Sequence, residues 1–299
     1  MNEYHVPVLL KEAIEYLNVT EGKKYIDCTL GGGGHTTGIL SKGGVTLAID
    51  QDSEAIAYSK ARKKSYIENW KLTLAQGNFA HLKDIATDHG FVSVAGVLYD
   101  LGVSSHQLNT ADRGFSFASS RSVKLDMRMD PENQAVTAAD LLSAASQDEL
   151  AAIFFRYGEE RRAKRIAKEI VSERQKNKIL TSDHLVKIIL RVRNRGKNDR
   201  THPATRVFQA LRLAVNVELA NLEDSLLQAV DLLQPGGRLV VISFHSLEDR
   251  IVKKFFRENP DKLTIITNKP ITPTQEEINS NPRARSGKLR AAEKIGQTT

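Results

Sequence analysis

The chain has 299 residues, enough for one large domain or two of ordinary size. With 40% apolar and 26% charged residues and no apolar run near the roughly 18 residues of a membrane span, the composition predicts a soluble globular protein with no membrane partner. The single cysteine, Cys28, excludes an internal disulfide and a cysteine-rich zinc site. The N-terminus has no basic segment followed by an apolar stretch, so a cytoplasmic location is expected.

The net charge of +7 is unevenly distributed. Residues 156–200 carry +9 and residues 250–299 carry +6, so the rest of the chain is acidic at −8. Two basic segments on an acidic body indicate a polyanionic partner. The competing interpretation of each segment is a solvated helix face.

The first 20 residues have apolar positions at helical spacing and predict an amphipathic helix that packs on the domain. Next comes an apolar strand at Tyr25–Thr29, a glycine turn at Gly31–Gly34 and a helix that opens near His35. A second strand, Val45–Ile49, ends on Asp50, with Asp52 close behind. Glycines between strand and helix let a ligand approach the backbone, and the acid about 20 residues later is placed to bind a ribose diol.

The glycine pattern departs from the dinucleotide fingerprint. Read from Gly31, the third glycine of G-x-G-x-x-G is replaced by Thr36. This favours an adenosyl ligand without a pyrophosphate over NAD. A glycine turn without a ligand is the alternative.

Two further strands follow. A helical segment, 53–69, leads to a strand at Leu72–Gln76, after which Phe79 could lie against an adenine. Another helix, 82–89, leads to a strand at Val94–Tyr99 that ends on Asp100. Alternating strands and helices predict a parallel sheet covered on both faces, with chemistry at the carboxyl ends of its strands.

The next strand, Arg238–Phe244, comes more than 130 residues later, where a βαβ crossover needs roughly 30. An inserted helical domain is therefore predicted. Its expected helices start at a capping box from Ser146 to Glu149 and continue at 159–174, at 181–192 and as one long helix over 204–233. After the fifth strand we expect a helix at 250–258 and strands at 263–267 and 288–292.

Eight motifs in this order resemble a known family: TLGGGGHT, YDLGVSSHQL, RGFSF, LDMRMD, YGEERRAKRIA, HPATRVFQALRLAVN, ISFHSLEDRIVKKF and NPRARSGKLR. Together they are similar to the bacterial 16S ribosomal RNA cytosine-N4 methyltransferases, which use S-adenosylmethionine. The resemblance covers nearly the whole chain. It implies methylation of the exocyclic amine of a cytidine at the decoding centre of the small ribosomal subunit.

The implied fold is a class I methyltransferase: a Rossmann-like, doubly wound, mostly parallel α/β sheet with an inserted all-helical domain. The predicted domains are 1–105 with 205–299 for S-adenosylmethionine binding, and 106–204 for substrate recognition. The cofactor positions carried over from the family are Gly33, Gly34, His35, Asp50, Phe79, Asp100 and Gln107. Six of these seven coincide with positions that the strand and turn pattern identifies; Gln107 rests on the resemblance alone.

Two residues are candidates for catalysis. Asp100 could accept a proton from the target amine, or it could instead bind the amino group of the cofactor; both interpretations stay open. Many amino-methyltransferases have Pro-Pro and an aromatic residue after this acid, whereas here Leu101 to Val103 follow. His245 and the adjacent Phe244 are candidates to contact the base, against a purely structural role.

Contacts with 16S rRNA are predicted at five residues: His202, Arg206, Arg250, Arg283 and Arg285. For each, a phosphate contact competes with an internal ion pair. Neither DNA nor a metal ion is expected, and the protein would be a monomer or a homodimer. Two other hypotheses are a nicotinamide-dependent oxidoreductase, disfavoured by the missing glycine and the basic insertion, and a non-enzymatic RNA-binding assembly factor.

Overall fold

A computed structural model describes residues 6–117, 123–194, 196 and 201–296. The chain divides into two compact units, Met1–Ser104 with Leu219–Thr299 and Ser105–Glu218. The second unit extends past the predicted boundary at residue 204, because the helix after it packs on helices of that unit. The assignment of cofactor binding and substrate recognition to separate domains stays a prediction.

The strands are β1 (Lys24–Asp27), β2 (Val45–Asp50), β3 (Leu72–Gln76), β4 (Val94–Asp100), β5 (Leu233–Ser243), β6 (Leu263–Ile265) and β7 (Lys288–Lys294). The α-helices of the first unit before the insertion are α1 (Leu10–Leu17), α2 (Gly34–Ser41), α3 (Ser53–Arg62), α4 (Lys64–Glu68) and α5 (Leu82–Asp88). Those of the second unit are α6 (Ser105–Asn109), α7 (Ala138–Ala144), α8 (Gln147–Gly158), α9 (Ala163–Arg174), α10 (Ser182–Val192) and α11 (Thr205–Asn216). The chain continues with α12 (Glu218–Leu232), α13 (Ser246–Glu258) and α14 (Gln275–Ser280). Short 3-10 helices occupy Phe79–His81, Ala111–Arg113 and Pro282–Ser286.

The sheet of the first unit has the strand order β3-β2-β1-β4-β5-β7-β6 in the described part of the chain. Strands β1 to β5 pair in parallel, and β7 is antiparallel to both of its neighbours. Parallel strands bring their carboxyl ends to one edge, so the acids that end β1, β2 and β4 meet there: Asp27, Asp50 and Asp100. The predicted mostly parallel sheet is confirmed.

Both faces of the sheet are covered, because consecutive residues of the strands point to opposite sides. On one face, Ile26 and Val241 lie in an apolar layer with residues of α5, α12 and α13. On the other, Tyr25 and Val240 pack with residues of α1 and with Ile39 of α2. The doubly wound arrangement follows from strands that are apolar on both sides.

Three predicted helices differ in the structure. The segment 53–69 is two helices, α3 and α4. The predicted helix 159–174 begins only at Ala163, since Glu159 is left-handed (φ 47°) and ends α8. The long helix predicted over 204–233 is broken at Val217, whose φ of 53° no right-handed helix accommodates. Val217 is 54% exposed, so apolar spacing gave no sign of this break.

In the second unit the predicted capping box is confirmed: Ser146 accepts the Glu149 N–H, and the Glu149 carboxylate accepts the Ser146 N–H. At the other end of α8 the helix meets α11 closely. A Cβ at Gly158 would lie 2.5 Å from the Arg206 carbonyl oxygen, so only glycine permits this contact. Within the described residues, no helix combines the length and the apolarity needed to cross a bilayer.

Candidate active site at the carboxyl edge of the sheet

The glycine turn after β1 is covered more closely at Gly33 and Gly34 than at Gly31. Gly31 and Gly33 have left-handed φ angles of 48° and 71°. A Cβ at Gly33 would lie 2.5 Å from Cε of Lys63, and one at Gly34 would lie 2.8 Å from Cγ of Pro7. At Gly31 the nearest atom would be Cβ of Ser104 at 3.9 Å, an ordinary van der Waals contact. The backbone is therefore covered less closely at Gly31 than at Gly33 and Gly34.

The carboxylate of Asp50 is tied to this turn. Its Oδ2 accepts the Gly31 N–H at 2.7 Å, and its Oδ1 accepts the Asp52 N–H at 2.9 Å. Burial is the main cause that raises the pKa of Asp50 to about 6; the charges of Asp52 and Asp27 contribute to this rise, and the two backbone hydrogen bonds oppose it. Each oxygen keeps a second lone pair, so the carboxylate can still accept hydrogen bonds from a diol.

His35, buried in the first turn of α2, links two parts of the site. Its Nε2 lies 3.1 Å from the carbonyl oxygen of Val8, and its Nδ1 lies 3.4 Å from Oδ2 of Asp100. A carbonyl oxygen only accepts, so Nε2 carries a proton. The backbone of Asp100 is fixed as well, because its N–H donates to Oγ1 of Thr29 at 2.6 Å.

Asp27 is a site residue that the sequence interpretation missed. It is fully buried and accepts hydrogen bonds from Oγ1 of Thr36 (2.6 Å) and from the N–H of Thr29 (3.1 Å). Burial raises its pKa, against the hydrogen bond from Thr36 and the charge of His35, which lower it. An acid inside the predicted apolar strand Tyr25–Thr29 was the signal that could have identified it.

Phe79 lies beyond the end of β3, in the short 3-10 helix that follows. Its ring meets Tyr99 edge to face, with centroids 5.6 Å apart. Asn78 caps this helix by accepting the Ala80 N–H, and its Nδ2 donates to Oε1 of Gln51 beyond β2. These bonds hold Phe79 beside the ends of β2 and β4, where an adenine ring could stack.

His245 has a structural task at the end of β5. It is the N-cap of α13, where its Nδ1 accepts the Glu248 N–H at 3.3 Å, and the Glu248 carboxylate accepts the N–H groups of Phe244 and His245. Its Nε2 lies 3.0 Å from Oε1 of Glu248. Both ring nitrogens therefore face Glu248, so contact with a base would require the ring to turn. The predicted catalytic role of His245 stays a prediction.

The first unit thus brings together six of the seven predicted cofactor positions: Gly33, Gly34, His35, Asp50, Phe79 and Asp100. Gln107 belongs to the second unit, where it is buried on α6. Its predicted role is untested.

The predicted RNA contacts are divided between the units. Arg250, Arg283 and Arg285 are exposed in the first unit, and Arg206 is exposed in the second. Arg206 donates to the Glu159 carbonyl at 3.0 Å. His202 stacks on Phe117 with ring centroids 4.9 Å apart, while its Nδ1 accepts the Ala204 N–H.

The motif LDMRMD forms a tightly held loop of the second unit, Leu125–Asp130. Its Met127 is left-handed (φ 62°) and fully buried. Buried Asn216 accepts the Met129 N–H at 2.8 Å and donates to the Met127 carbonyl at 2.8 Å. Asp126 binds Arg128 through two hydrogen bonds of 2.7 and 2.8 Å. Saturated contacts of this kind indicate a role in holding the fold.

Comparison with known proteins places the chain among methylases. A family model described as the MraW methylase family matches residues 2–295. Three similar curated proteins are each named "Ribosomal RNA small subunit methyltransferase H". The one from Thermomicrobium roseum is 47% identical over 311 residues, covering 97% of this chain and 94% of that protein. Those from Carboxydothermus hydrogenoformans and Brevibacillus brevis are 45% and 43% identical over 309 and 313 residues, covering 97% and 98% of this chain and 98% of each relative.

Proposed function

The chain belongs to the MraW methylase family, and we propose that it methylates the exocyclic N4 amine of a cytidine in the 16S rRNA of the small ribosomal subunit. S-adenosylmethionine is the methyl donor. Support comes from relatives that match nearly the whole chain and are named small-subunit rRNA methyltransferases. The observation that carries the proposal is the pair of carboxylates, Asp50 and Asp100, at the ends of the two strands that flank β1, with Asp50 hydrogen-bonded to the glycine turn.

The residues at this edge fit an adenosyl amino acid. The Asp50 carboxylate lies beside Gly31, and its two hydrogen bonds from backbone N–H groups hold it in one orientation while leaving lone pairs for ribose hydroxyls. Phe79 supplies a ring at the adenine end. S-adenosylmethionine, when bound, supplies a methyl group that is activated by a sulfonium.

The chemistry left to the protein is to align the amine and to receive a proton. The N4 amine delocalises its lone pair into the ring, so an acceptor aimed at its N–H makes it more nucleophilic. Asp100 is that acceptor. When the amine takes up the methyl group that S-adenosylmethionine would supply, Asp100 is placed to accept one amine proton and to release it to water. His35, which is anchored on the Val8 carbonyl, holds Asp100 in place through Nδ1.

Asp100 has a second possible duty, to bind the amino group of the cofactor. The two duties predict different kinetics: loss of the acceptor lowers kcat, whereas loss of a cofactor contact raises KM for S-adenosylmethionine. The proposed setting is the cytoplasm, with the decoding centre of the assembled small subunit as substrate.

The test is transfer of labelled methyl from S-adenosylmethionine to small subunits that lack this modification, followed by nuclease digestion and mass analysis of the nucleosides. Label in N4-methylated cytidine is expected. Label in another nucleoside would mean that a different base is the methyl acceptor. No label in RNA, with cofactor binding intact, would contradict the proposal and favour a non-enzymatic assembly factor. A bare RNA hairpin tests the substrate form, and a rate on it equal to that on subunits would contradict recognition of the assembled particle.

A further inference from the structure

Helix α13 carries a stripe of positive charge along one side. Its cations lie at 250, 253, 254 and 257, the i, i+3, i+4, i+7 spacing of a single helix face. Val252 and Phe256 are buried on the other side against the sheet. Lys254 lies 3.8 Å from Glu258. Among the described residues, Lys253 and Arg257 have no ion-pair partner.

A buried cation lies next to this stripe. Arg290 on β7 is only 6% exposed, and its Nε and Nη2 donate to the two oxygens of Asp249 at 2.7 and 3.3 Å. Lys288 lies 3.6 Å from the same carboxylate. Burial raises the pKa of Asp249, but the hydrogen bond and charge of Arg290, with help from Lys288, outweigh burial and leave it below its ordinary value. The carboxylate holds the guanidinium through Nε and Nη2, and Arg290 also lines a pocket.

A small pocket lies between α13 and the edge of the sheet, with a volume of about 50 Å³. Its lining combines three cations, two polar side chains and two apolar ones: Lys253, Arg257, Arg290, Thr267, Asn268, Phe256 and Ile265. Pockets that take a nucleoside or another drug-sized ligand occupy some 300–1,000 Å³. The volume here suits a few waters or one tetrahedral oxyanion.

We propose that this pocket binds one phosphate group of the RNA backbone, with Lys253 and Arg257 closing over it and Arg290 at its base. The inference rests on the proposed function, because it takes the rRNA as the source of the phosphate. Cations that lack ion-pair partners, beside a fixed guanidinium, match the charge and the fork geometry that phosphate binding requires. A contact of this type positions the RNA without reading its sequence.

The test uses the double variant Lys253→Gln/Arg257→Gln in the full chain. Its control, Lys60→Gln/Arg62→Gln on α3, removes the same charge from two exposed residues elsewhere in the first unit. Affinity for small subunits is measured over a range of KCl concentrations. The slope of log K against log salt is expected to fall by about 1 in the pocket variant, as for one lost phosphate contact, and to stay unchanged in the control. KM for subunits rises, while kcat and the affinity for S-adenosylmethionine are unchanged.

The outcomes separate this inference from the proposed function. If the wild type methylates rRNA and the pocket variant keeps the wild-type slope, the pocket proposal is wrong and the function stands. If the wild type leaves rRNA unlabelled, the proposed function fails first. A titration with inorganic phosphate tests whether the pocket instead binds a free phosphate ion. Saturable binding that small subunits do not displace would assign the pocket to a free anion and overturn its role in binding RNA.

Discussion

Two regions of this protein hold carboxylates in opposite ways. At the carboxyl edge of the sheet, Asp27 is buried and Asp50 is half-buried, both accept hydrogen bonds from neutral donors, and desolvation raises the pKa of both. In the loop Leu125–Asp130 of the second unit, Asp126 faces a guanidinium, and the hydrogen bonds from Arg128 overcome burial and lower its pKa. In the first arrangement the charged form of a carboxylate is desolvated, which lowers the stability of the fold; such arrangements are typical of sites that act on ligands. The second is a satisfied structural contact.

Asp100→Asn gives the largest expected effect at the sheet edge. Asparagine keeps the size of the side chain but cannot take up a proton, so kcat for methyl transfer should fall about a hundredfold to ten-thousandfold. Steady-state kinetics with saturating S-adenosylmethionine measure this, with Asp84→Asn, at an exposed position of α5, as the control. A normal kcat with a raised KM for the cofactor would instead make Asp100 a cofactor ligand.

Asn216→Ala is the corresponding change in the second unit. It leaves the Met129 N–H and the Met127 carbonyl buried without their partner, at about 2 to 4 kcal/mol of unfolding free energy. Asn133→Ala removes an exposed hydrogen bond to Asp130 and should cost less than about 0.5 kcal/mol. Urea unfolding compares the two variants. Equal losses would mean that the loop is not held by Asn216.

These two regions also show how far sequence reasoning extends. The alternation of strands and helices predicted the sheet, and the end of β4 predicted the position of Asp100, because apolar runs and turn residues are local signals. The break at Val217 and the hydrogen bonds of Asn216 to Met127 and Met129 depend on contacts between segments almost 90 residues apart. No local pattern records such contacts.

The same reason explains the missed part of the site. Asp27 lies inside what the sequence pattern predicts as an apolar strand. Its carboxylate accepts a hydrogen bond from Thr36, which lies in the next helix. The placement of His245 as a helix cap likewise depends on Glu248 three residues later, a pairing that the sequence ISFHSLED does contain. A capping box with histidine in the first position was the available signal.

Asp50→Ala should weaken binding of S-adenosylmethionine by about 1 to 3 kcal/mol, through loss of hydrogen bonds to the ribose diol. Asp52→Asn is the matched control, since it removes a neighbouring charge while asparagine still caps α3. Calorimetry measures both affinities. An unchanged affinity in Asp50→Ala, or an equal loss in the control, would remove Asp50 from the cofactor site.

The raised pKa of Asp50 adds a pH dependence to cofactor binding. The diol requires the ionised carboxylate, so affinity should be constant above pH 6 and fall about tenfold for each pH unit below it. Asp50→Asn should give a flat curve over the same range, which also corrects for titration of the ligand itself. If the wild type is as flat as the variant between pH about 5 and about 8, the carboxylate does not titrate with binding.

Asp126→Asn has the smallest expected effect and the opposite dependence on pH. The folded-state pKa of Asp126 lies below its ordinary value of 3.8, so its contribution to stability is complete above that value and is lost as pH falls through the folded pKa. At neutral pH the variant should lose about 1 kcal/mol of unfolding free energy, as for a bidentate pair that is partly exposed. In acid the difference from the wild type should vanish. The raised pKa of Asp50 has the opposite effect: as pH rises from 3.8 to about 6, ionisation of Asp50 lowers the free energy of unfolding. A rise in pH therefore stabilises the folded state through Asp126 and destabilises it through Asp50. Urea unfolding of the wild type and Asp126→Asn at neutral pH and at a pH well below 3.8 measures the difference; a gap that widens in acid would show that Asp126 is not stabilised by Arg128.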